Sequence, residues 1–534
     1  MKRKLTALLA LSMALSLFSG CGRQVDNSGY VPTGDAILME GQEPEDIEKK
    51  EETQELTLAY YPDRSLNPVF GSDYTNRVLM SLMYQGLFAV DSKKNVTPIL
   101  ASGYRSSADN KTWVVYLDEK ATFSDGSRVT PQDVVATYKR AKENDYYKGR
   151  FKFHLADVQV TDDGGIAFYM MNPFGNLPLV LDIPIIKESQ LDETIPLGTG
   201  PYVFQQGVNG SYLQRNENWW CKGVEIPATD SAIALVSVTS PADIRDQFQF
   251  GELSLACTNP MSGSFAEYRC DYEMWEIESG QLMYIGCNIQ WSDFYPEQKP
   301  LRTFLTYAID RETLSKSIYR GMADPVTLPA SPNESYYNQT LAQKYAYDSL
   351  HFVGELSQFT IPNKQEGGGK QTLRLLVNSD DSNRVQVART LAKNLTEFGL
   401  TTETIEKTTG GFRDVLVNGN YDIYLGMTRL PPTMDMSEFF RLYGELSWGG
   451  LPHETLRDMS LRTLEDVGNF YNFYKKLAED GRVIPVLFGY NVVYAQRGLI
   501  PNLNPSRDNV FYYSIGKDME GSRVEKPAAT EPQE

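Results

Sequence analysis

The feature that most constrains the fold is an alternation of strand-like and helix-like segments between Gln371 and Gly426. QTLRLLVN has the short apolar run of a strand, and SNRVQVARTLAKNLTEFG repeats apolar residues every three or four positions, as an amphipathic helix does. TTETIEK, FRDVLVNG and YDIYLG add a strand, a short helix and another strand. Strands that alternate with helices favour a largely parallel sheet covered by helices, so this region is predicted to be an α/β lobe.

The segment Leu301–Gly321, LRTFLTYAIDRETLSKSIYRG, carries a second strong pattern. Its apolar residues mostly follow helical spacing, which predicts one long helix facing the core. We expect Arg320 and Gly321 to end it, because a cation suits the carbonyl end of a helix and glycine tolerates a left-handed turn. Helix packing and capping account for these residues, so we expect no ligand contact from Asp310 or Arg311.

Local signals place further elements in the first half of the chain. Leu56–Pro62 is predicted to be a strand stopped by proline, and Thr112–Leu117 a second strand. Thr130 is placed to cap a helix with Pro131 at its first position and Asp133 near its positive end. Because capping explains these side chains, they are not candidates for catalysis.

Length and charge limit the possible classes of protein. A chain of 534 residues exceeds one hydrophobic core, so two or three compact units are expected. Its formal net charge of −18 repels nucleic acid and anionic lipid headgroups. Nucleic acid is therefore excluded as the main partner.

The amino terminus has the pattern of an exported lipoprotein. MKRK is followed by the apolar run LTALLALSMALSLF and then by small residues before Cys21, which resembles a bacterial lipobox. The apolar run is shorter than the roughly 20 residues that span a bilayer. We therefore expect residues 1–20 to be a signal peptide and Cys21 to carry the lipid anchor, on the outer face of the cytoplasmic membrane. No later segment is apolar enough to span, so the anchor would be the only membrane contact.

Two polar segments are expected to remain unfolded. Residues 21–54 contain the acidic run EGQEPEDIEKKEETQE, and residues 517–534 form a polar tail. Such sequences bury too little apolar surface to offset the entropy of ordering. The first segment would act as a tether between the membrane and the folded body.

Several motifs then occur in a recognisable order. A strand with tryptophan, FSDGS and TPQDVV come first, followed by GTGPYVF at 198–204, LQRNENWW at 213–220 and the helix-like segment at 301–321. This order resembles the family 5 bacterial extracellular solute-binding proteins, the peptide-binding and nickel-binding class of transporter receptors. The resemblance covers most of residues 56–516.

The resemblance implies the architecture. It implies an α/β, two-lobed periplasmic-binding-protein-like fold of type II, in the large variant with an extra subdomain in lobe I. Two segments would cross between the lobes, near Ile285–Trp291 and Ile484–Gly489. Lobe I would comprise residues 55–287 plus 485–516, and lobe II residues 288–484. Two crossings of this kind suit a hinge that closes on a ligand.

The resemblance also locates a ligand contact. In the oligopeptide-binding and dipeptide-binding branches, an aspartate after the "YD" strand pairs with the peptide's amino terminus. Here Arg429 and Leu430 stand at that position, and Asp435 follows. A guanidinium favours a carboxylate or phosphate. Our hypothesis is that Arg429 faces the cleft and contacts a carboxylate of the ligand; the alternative is a structural ion pair or a solvent-facing side chain.

Five further residues are candidate ligand contacts. Asn288 and Trp291 lie beside the first expected crossing, Trp448 lies in SWGG, and Asp73 and Tyr74 lie in an early loop. Aromatic side chains supply large contact area in binding sites, but they equally often pack in cores. Both roles therefore stay open for the aromatic candidates.

Motifs for catalysis are missing from the sequence. The three histidines, His154, His351 and His453, do not have the spacing of metal ligands. There is also no G-x-S-x-G nucleophile elbow and no phosphate-binding loop. We therefore expect no catalytic residue, no metal and no cofactor. Besides Cys21 there are four cysteines, which allow three disulfide pairings or free thiols: Cys221, Cys257, Cys270 and Cys287.

These observations together predict a function. The chain is expected to be the lipid-anchored, extracytoplasmic substrate-binding component of an ABC importer. As a monomer it would capture a peptide or similar small solute between two lobes and deliver it to a permease driven by ATPase subunits. The alternatives are a sensory or scaffold lipoprotein that retains the binding fold without transport, and a secreted hydrolase.

Overall fold

The computed structural model describes residues 55–515, apart from residues 72, 229, 264, 266, 298, 299 and 364–368. The predicted signal peptide, Cys21, the tether and the tail lie outside the described residues. Among those described, no helix combines the length and the apolar character needed to cross a membrane.

The described chain contains seventeen strands. In order they are β1 Thr57–Tyr60, β2 Phe88–Val90, β3 Val96–Pro98, β4 Ala101–Ser106, β5 Thr112–Leu117, β6 Leu155–Val160, β7 Ile166–Met170, β8 Tyr202–Gly207, β9 Gly210–Arg215, β10 Ala232–Ser237, β11 Leu255–Thr258, β12 Glu273–Cys287, β13 Ala323–Pro325, β14 Leu373–Asn378, β15 Thr402–Lys407, β16 Ile423–Arg429 and β17 Val483–Ala495.

Twelve α-helices are described alongside these strands. They are α1 Tyr74–Met83, α2 Pro131–Ala141, α3 Lys148–Phe151, α4 Pro241–Gln249, α5 Arg311–Ile318, α6 Gln339–Lys344, α7 Ser349–Ser357, α8 Ser382–Glu397, α9 Thr409–Asn418, α10 Ser437–Phe440, α11 Glu454–Glu465 and α12 Phe470–Asp480. Short 3-10 turns occur at Leu177–Val180, Glu188–Gln190, Leu301–Thr303, Leu305–Ala308 and Val467–Asn469.

One eleven-stranded sheet runs through the whole molecule. Its main order is β15-β14-β16-β12-β17-β11-β1-β10-β9-β8, and β13 pairs with β17. β14 pairs in parallel with β15 and β16, which confirms the parallel sheet predicted from the alternation of segments. β12 and β17 are long antiparallel strands at the centre of the sheet. A separate four-stranded sheet, β4-β5-β7-β6, packs with α2.

The apolar core changes along β12 and β17. Ile277 and Val493 pack into one core, whereas Leu282 and Phe488 pack into another. We name the part around the first core, residues 55–278 and 490–515, the first lobe, and residues 279–489 the second lobe. Between them the pairing of β12 with β17 is irregular at Glu278/Gln281. The two lobes therefore meet at an interruption in a continuous pair of strands.

Local capping follows the sequence closely. Asp133 N donates to Thr130 Oγ1 at 3.3 Å, and Thr130 N donates to the Asp133 carboxylate at 2.8 Å, which forms a capping box on α2. Pro131 occupies the first turn, as predicted. The predicted strand at Thr112–Leu117 is present as β5.

The prediction of one long helix over Leu301–Gly321 is wrong. The segment forms two 3-10 turns followed by α5. The reason lies in two side chains that compete with the helical backbone. Asp310 accepts a hydrogen bond from Thr313 N and caps α5, while the buried guanidinium of Arg311 donates to the carbonyls of Thr306 and Ile309. Arg311 also donates to Pro485 O at 2.9 Å and so attaches this segment to β17.

Gly280, at the irregularity of β12, provides a test of this junction. Its φ is +74°, and an added Cβ would lie 2.5 Å from Arg507 Nη2 and from Leu430 O. Gly251 has a similar φ of +77° but open space around it. Both alanine variants pay for the left-handed backbone, about 1 kcal/mol, whereas Gly280→Ala also incurs steric strain of about 1–3 kcal/mol. We expect urea unfolding to show a larger loss for Gly280→Ala; equal losses would contradict a close-packed junction.

Candidate functional site

A cavity of about 300 Å³ lies between the two lobes. We call it the interlobe cavity. The first lobe contributes Asp145, Tyr146, Lys148, Gly149, Arg150, Lys152, Phe153 and Arg507, and the second lobe contributes Thr428, Arg429, Leu430, Pro431, Pro432, Asp435, Glu438, Phe439, Glu445 and Leu446. Nine of these eighteen residues are charged, five positively and four negatively, and most of the others are apolar.

Short elements anchored in each core position the walls. On the first-lobe side, Phe151 is fully buried and fixes α3. Lys152 N donates to Lys148 O at 2.8 Å, so the two lysines stand one helical turn apart. On the other side, β16 ends at Arg429, and Pro431 and Pro432 follow. Proline has no N–H to continue a ladder, so the chain leaves the sheet there and borders the cavity.

Arg429 lines the interlobe cavity with its guanidinium held by protein groups. Nε donates to Ser279 O at 3.0 Å, and Nη2 lies 3.0 Å from Asp508 Oδ1. The guanidinium carbon lies 4.3 Å from the centre of the Tyr146 ring. These contacts describe an ion pair across the lobes at the edge of the cavity.

Asp508 is the centre of a buried charge cluster. Its carboxylate pairs with Arg150 and Arg429, and it accepts a hydrogen bond from the Tyr146 hydroxyl. Burial acts to raise its pKa, but the charges of Arg150, Arg429 and Arg507 hold the pKa of Asp508 well below its usual range. Asp508 is therefore charged, and it fixes cationic side chains of both lobes.

Asp435 makes a second contact between the lobes. Its Oδ2 lies 3.1 Å from Nε2 of His154, and both side chains are buried. Ser437 and Ser460 donate hydroxyl hydrogen bonds to it at 2.7 and 2.8 Å. Burial acts to raise its pKa, yet His154 and these hydroxyl groups lower the pKa of Asp435 to about 2. Its oxygens are thus occupied by protein groups.

Glu438 differs from the other carboxylates that line the interlobe cavity. Its Oε1 accepts a hydrogen bond from Arg441 Nε at 2.9 Å, but its buried Oε2 has no hydrogen-bond partner among the described residues. Burial raises the pKa of Glu438. A buried acceptor without a partner is costly in a native protein. In the described part of the chain, Glu438 Oε2 is therefore a buried acceptor without a partner, on a residue that lines the interlobe cavity.

The predicted site residues fall into two groups. Leu430 lines the interlobe cavity with Arg429; its N–H donates to Gly280 O at 2.8 Å, and its carbonyl accepts from Arg507. Tyr74 lies near Arg429 but does not line the cavity, and burial raises the pKa of its phenol well above the usual range. The remaining predicted residues do not line the cavity.

Those remaining residues have other surroundings in the structure. Asp73 caps α1 and pairs with Arg64. Asn288 is buried and donates to Tyr421 O at 2.7 Å. Trp291 is 49% exposed and packs against Gly419, while the ring of Trp448 packs at the margin of a second-lobe core.

Sequence reasoning missed the first-lobe wall, Asp508, Glu438 and Glu445. One local signal for the wall exists, the spacing of Lys148 and Lys152 in KGRFK, which places two cations on one helical face. Asp508 carries no local signal, because its partners are far away in the chain.

The described part of the chain has neither a cluster of metal ligands nor a disulfide bond. It contains no group of three or more His, Cys, Asp or Glu side chains placed to hold a metal ion. The four described cysteines form no disulfide bond with one another. Burial raises the pKa of Cys287 to about 12, so this thiol is protonated at neutral pH.

Solved structures define the class of this protein by its fold. The ABC transporter substrate-binding protein CtaP of Listeria monocytogenes superposes with a TM-score of 0.67, at 18% identity over 85% of this chain and 97% of that one. The periplasmic murein tripeptide binding protein MppA in its open form gives a TM-score of 0.66, at 14% identity over 88% of this chain and 96% of that one. The predicted two-lobed, mixed α/β binding-protein fold is confirmed.

The family follows from the sequence match. The family model described as "Bacterial extracellular solute-binding proteins, family 5 Middle" matches residues 95–449. The chain therefore belongs to this family. A curated relative, the glutathione-binding protein GsiB of Salmonella typhi, is 26% identical over 298 residues, which cover 53% of this chain. The chain spans 57% of the length of that relative.

The charge cluster around Asp508 yields a stability prediction. Asp508→Asn leaves the buried Arg150 and the partly exposed Arg429 without their common anion, so we expect the unfolding free energy to fall by about 3–5 kcal/mol. Asp192→Asn is the control, because Asp192 is 84% exposed and pairs with Arg140 on the surface. We expect it to change stability by less than about 1 kcal/mol in the same urea titration. Equal effects of the two variants would show that the cluster is not structural.

Proposed function

We propose that this chain is the substrate-binding component of an ABC importer and captures a short peptide or a similar zwitterionic solute in the interlobe cavity. The observation that carries the proposal is a cavity bounded by both lobes and lined by charges of both signs, including the unpartnered Glu438 oxygen. A ligand there would contact both lobes at once and would therefore stabilise the closed arrangement.

The size of the cavity indicates the size of the ligand. A volume of about 300 Å³ lies at the lower end of small-molecule sites. It suits a solute of about two or three amino-acid residues more closely than a long peptide. The names of two similar proteins refer to a tripeptide and to glutathione, which is of comparable size. Both names support a small peptide-like ligand for this chain.

The charges of the cavity indicate how such a ligand would be oriented. Glu438 Oε2 would accept hydrogen bonds from a protonated amine, a role that Arg429 cannot take. Arg429 would act mainly through its ion pair with Asp508, which holds the second-lobe wall against the first lobe. Tyr146 and Phe439 would supply apolar contact to the body of the ligand.

The two lobes would open and close about the point where β12 and β17 pass from one hydrophobic core to the other. We place the hinge at Ser279–Gln281 and at Gly489–Asn491, a few residues from the crossings expected at Ile285–Trp291 and Ile484–Gly489. Support comes from the irregular pairing at Glu278/Gln281 and from the positive φ of Gly280. A pair of strands interrupted at one point can bend there while both cores stay intact.

Delivery of the bound solute to a permease would depend on the amino-terminal segment predicted from the sequence. Cys21 would hold the protein at the outer face of the membrane, the acidic tether would let the body reach a permease, and cytoplasmic ATPase subunits would drive import. The chain itself would bind without breaking a bond. This assignment follows the solute-binding family to which the chain belongs.

Native mass spectrometry tests the proposal directly. The purified protein is first examined for co-purified small molecules, then mixed with glutathione and with a pool of random tripeptides. We expect stoichiometric binding of a small peptide-like solute. Absence of any co-purified solute, together with no binding of glutathione or the pool, would contradict the proposed function.

The role of Glu438 predicts a specific loss of affinity. Glu438→Gln removes the anionic acceptor, so we expect the free-amine tripeptide pool to bind at least about tenfold more weakly, because hydrogen bonds to charged groups contribute roughly 1.5–3 kcal/mol. An amino-acetylated pool is the comparison ligand, and Glu397→Gln, on the exposed surface of α8, is the control variant. Retention of the wild-type preference for the free amine by Glu438→Gln would exclude this role.

A further inference from the structure

Glu445 of the second lobe is held between two lysines of the first lobe. Its Oε1 lies 2.8 Å from Lys152 Nζ, and its Oε2 lies 3.1 Å from Lys148 Nζ. All three side chains line the interlobe cavity. A pair of ammonium groups one helical turn apart therefore already binds a carboxylate, with one oxygen on each nitrogen.

Lys148 is positioned independently of Glu445. Lys148 Nζ also lies 2.9 Å from Asp145 Oδ1 on its own segment. The hydrogen bonds that Lys148 donates to Asp145 and Glu445 raise the pKa of Lys148, and the lysines lower the pKa of Glu445. Both shifts favour the charged forms of Lys148 and Glu445. If Glu445 left, Lys148 would still be held at the cavity by Asp145.

The loop that carries Glu445 is packed loosely. Leu442 and Tyr443 are 64% and 92% exposed, and Tyr443 has a φ of +61°, which is unfavourable for a non-glycine residue. Arg441 lies 4.5 Å above the Phe153 ring of the first lobe. Glu445 itself is 49% exposed. A loop with exposed apolar residues and a strained backbone has little to lose on moving outward.

We propose that Lys148 and Lys152 form a carboxylate subsite of the interlobe cavity, and that Glu445 occupies this subsite until a carboxylate of the ligand displaces it. This inference rests on the proposed function and adds a substrate class, a solute with an anionic carboxylate end. The chain's own carboxylate then acts as a competitor. It also excludes neutral ligand ends, which cannot replace its two ion pairs.

The alternative role of Glu445 is a latch that closes the lobes, and the two roles predict opposite signs. Removing a latch weakens binding of every ligand, because the closed form becomes less stable. Removing a competitor strengthens the binding of ligands that carry a free carboxylate and leaves the binding of other ligands unchanged. The measured quantity is therefore the preference for a random tripeptide pool with free carboxyl ends over the same pool with amidated ends, determined by competition in native mass spectrometry.

We expect wild-type protein to prefer the free-acid pool. Glu445→Gln should raise this preference about three- to tenfold, the range expected for two partly exposed ion pairs. Lys148→Met with Lys152→Met should bring the preference close to one, and adding Glu445→Gln to that pair should then produce no gain. The matched control removes two lysines of the same lobe outside the cavity, Lys139→Met with Lys142→Met, and should keep the wild-type preference.

Three results would overturn the inference. Equal weakening of both pools by Glu445→Gln identifies a latch. If the variant without Lys148 and Lys152 keeps the wild-type preference for the free-acid pool, the ligand carboxylate binds elsewhere. If Glu445→Gln still raises this preference in that variant, Glu445 does not compete for the two lysines. In each case binding of the pools still supports the proposed function. Failure of wild-type protein to bind either pool refutes the proposed function and this inference with it.

Discussion

The pairing of β12 with β17 is the constraint on which the rest of the structure depends. Both strands pass from one core to the other, and their backbone hydrogen bonds continue on either side of the irregularity at Glu278/Gln281. The interruption also contacts two residues that line the interlobe cavity. Ser279 O accepts from Arg429, and Gly280 O accepts from Leu430 N–H, so movement at this point changes the position of the second-lobe wall.

Electrostatics explain how two lobes of an acidic protein remain together. The chain as a whole has a net charge of −18, and the facing surfaces of the two lobes carry paired charges. Asp508 and Arg429, His154 and Asp435, and the lysines with Glu445 each join one lobe to the other. Buried pairs add less stability than their number suggests, because desolvation offsets much of the attraction. What they provide is a defined alignment of the two cavity walls.

Much of the fold could be predicted because its signals are local. Strand and helix alternation predicted the parallel part of the sheet, and Thr130, Pro131 and Asp133 predicted a capped helix. The spacing of apolar residues could not show that the helix expected at Leu301–Gly321 is interrupted. Arg311 interrupts it by donating hydrogen bonds to backbone carbonyls, one of which belongs to the distant Pro485. Contacts between distant segments of this kind leave no periodic signal in the sequence.

The site was harder to predict for the same reason. Arg429 and Leu430 border the interlobe cavity, but the partner of Arg429, Asp508, and the opposing lysines belong to separate parts of the chain. Trp291 and Asn288 are candidate ligand contacts because they lie beside an expected crossing in the sequence. In the structure neither lines the cavity, since Trp291 is exposed and Asn288 is buried elsewhere. Sequence motifs identified the family and one wall, whereas the charges that face that wall required the structure.

Hydrogen exchange measured with and without a saturating peptide from the tripeptide pool tests the central claim, that the ligand is held between the two lobes. The account predicts slower amide exchange in two segments at once, residues 145–153 of the first lobe and residues 428–446 of the second. Slower exchange in only one of the two lobes, or unchanged exchange in both segments, would contradict binding between the lobes.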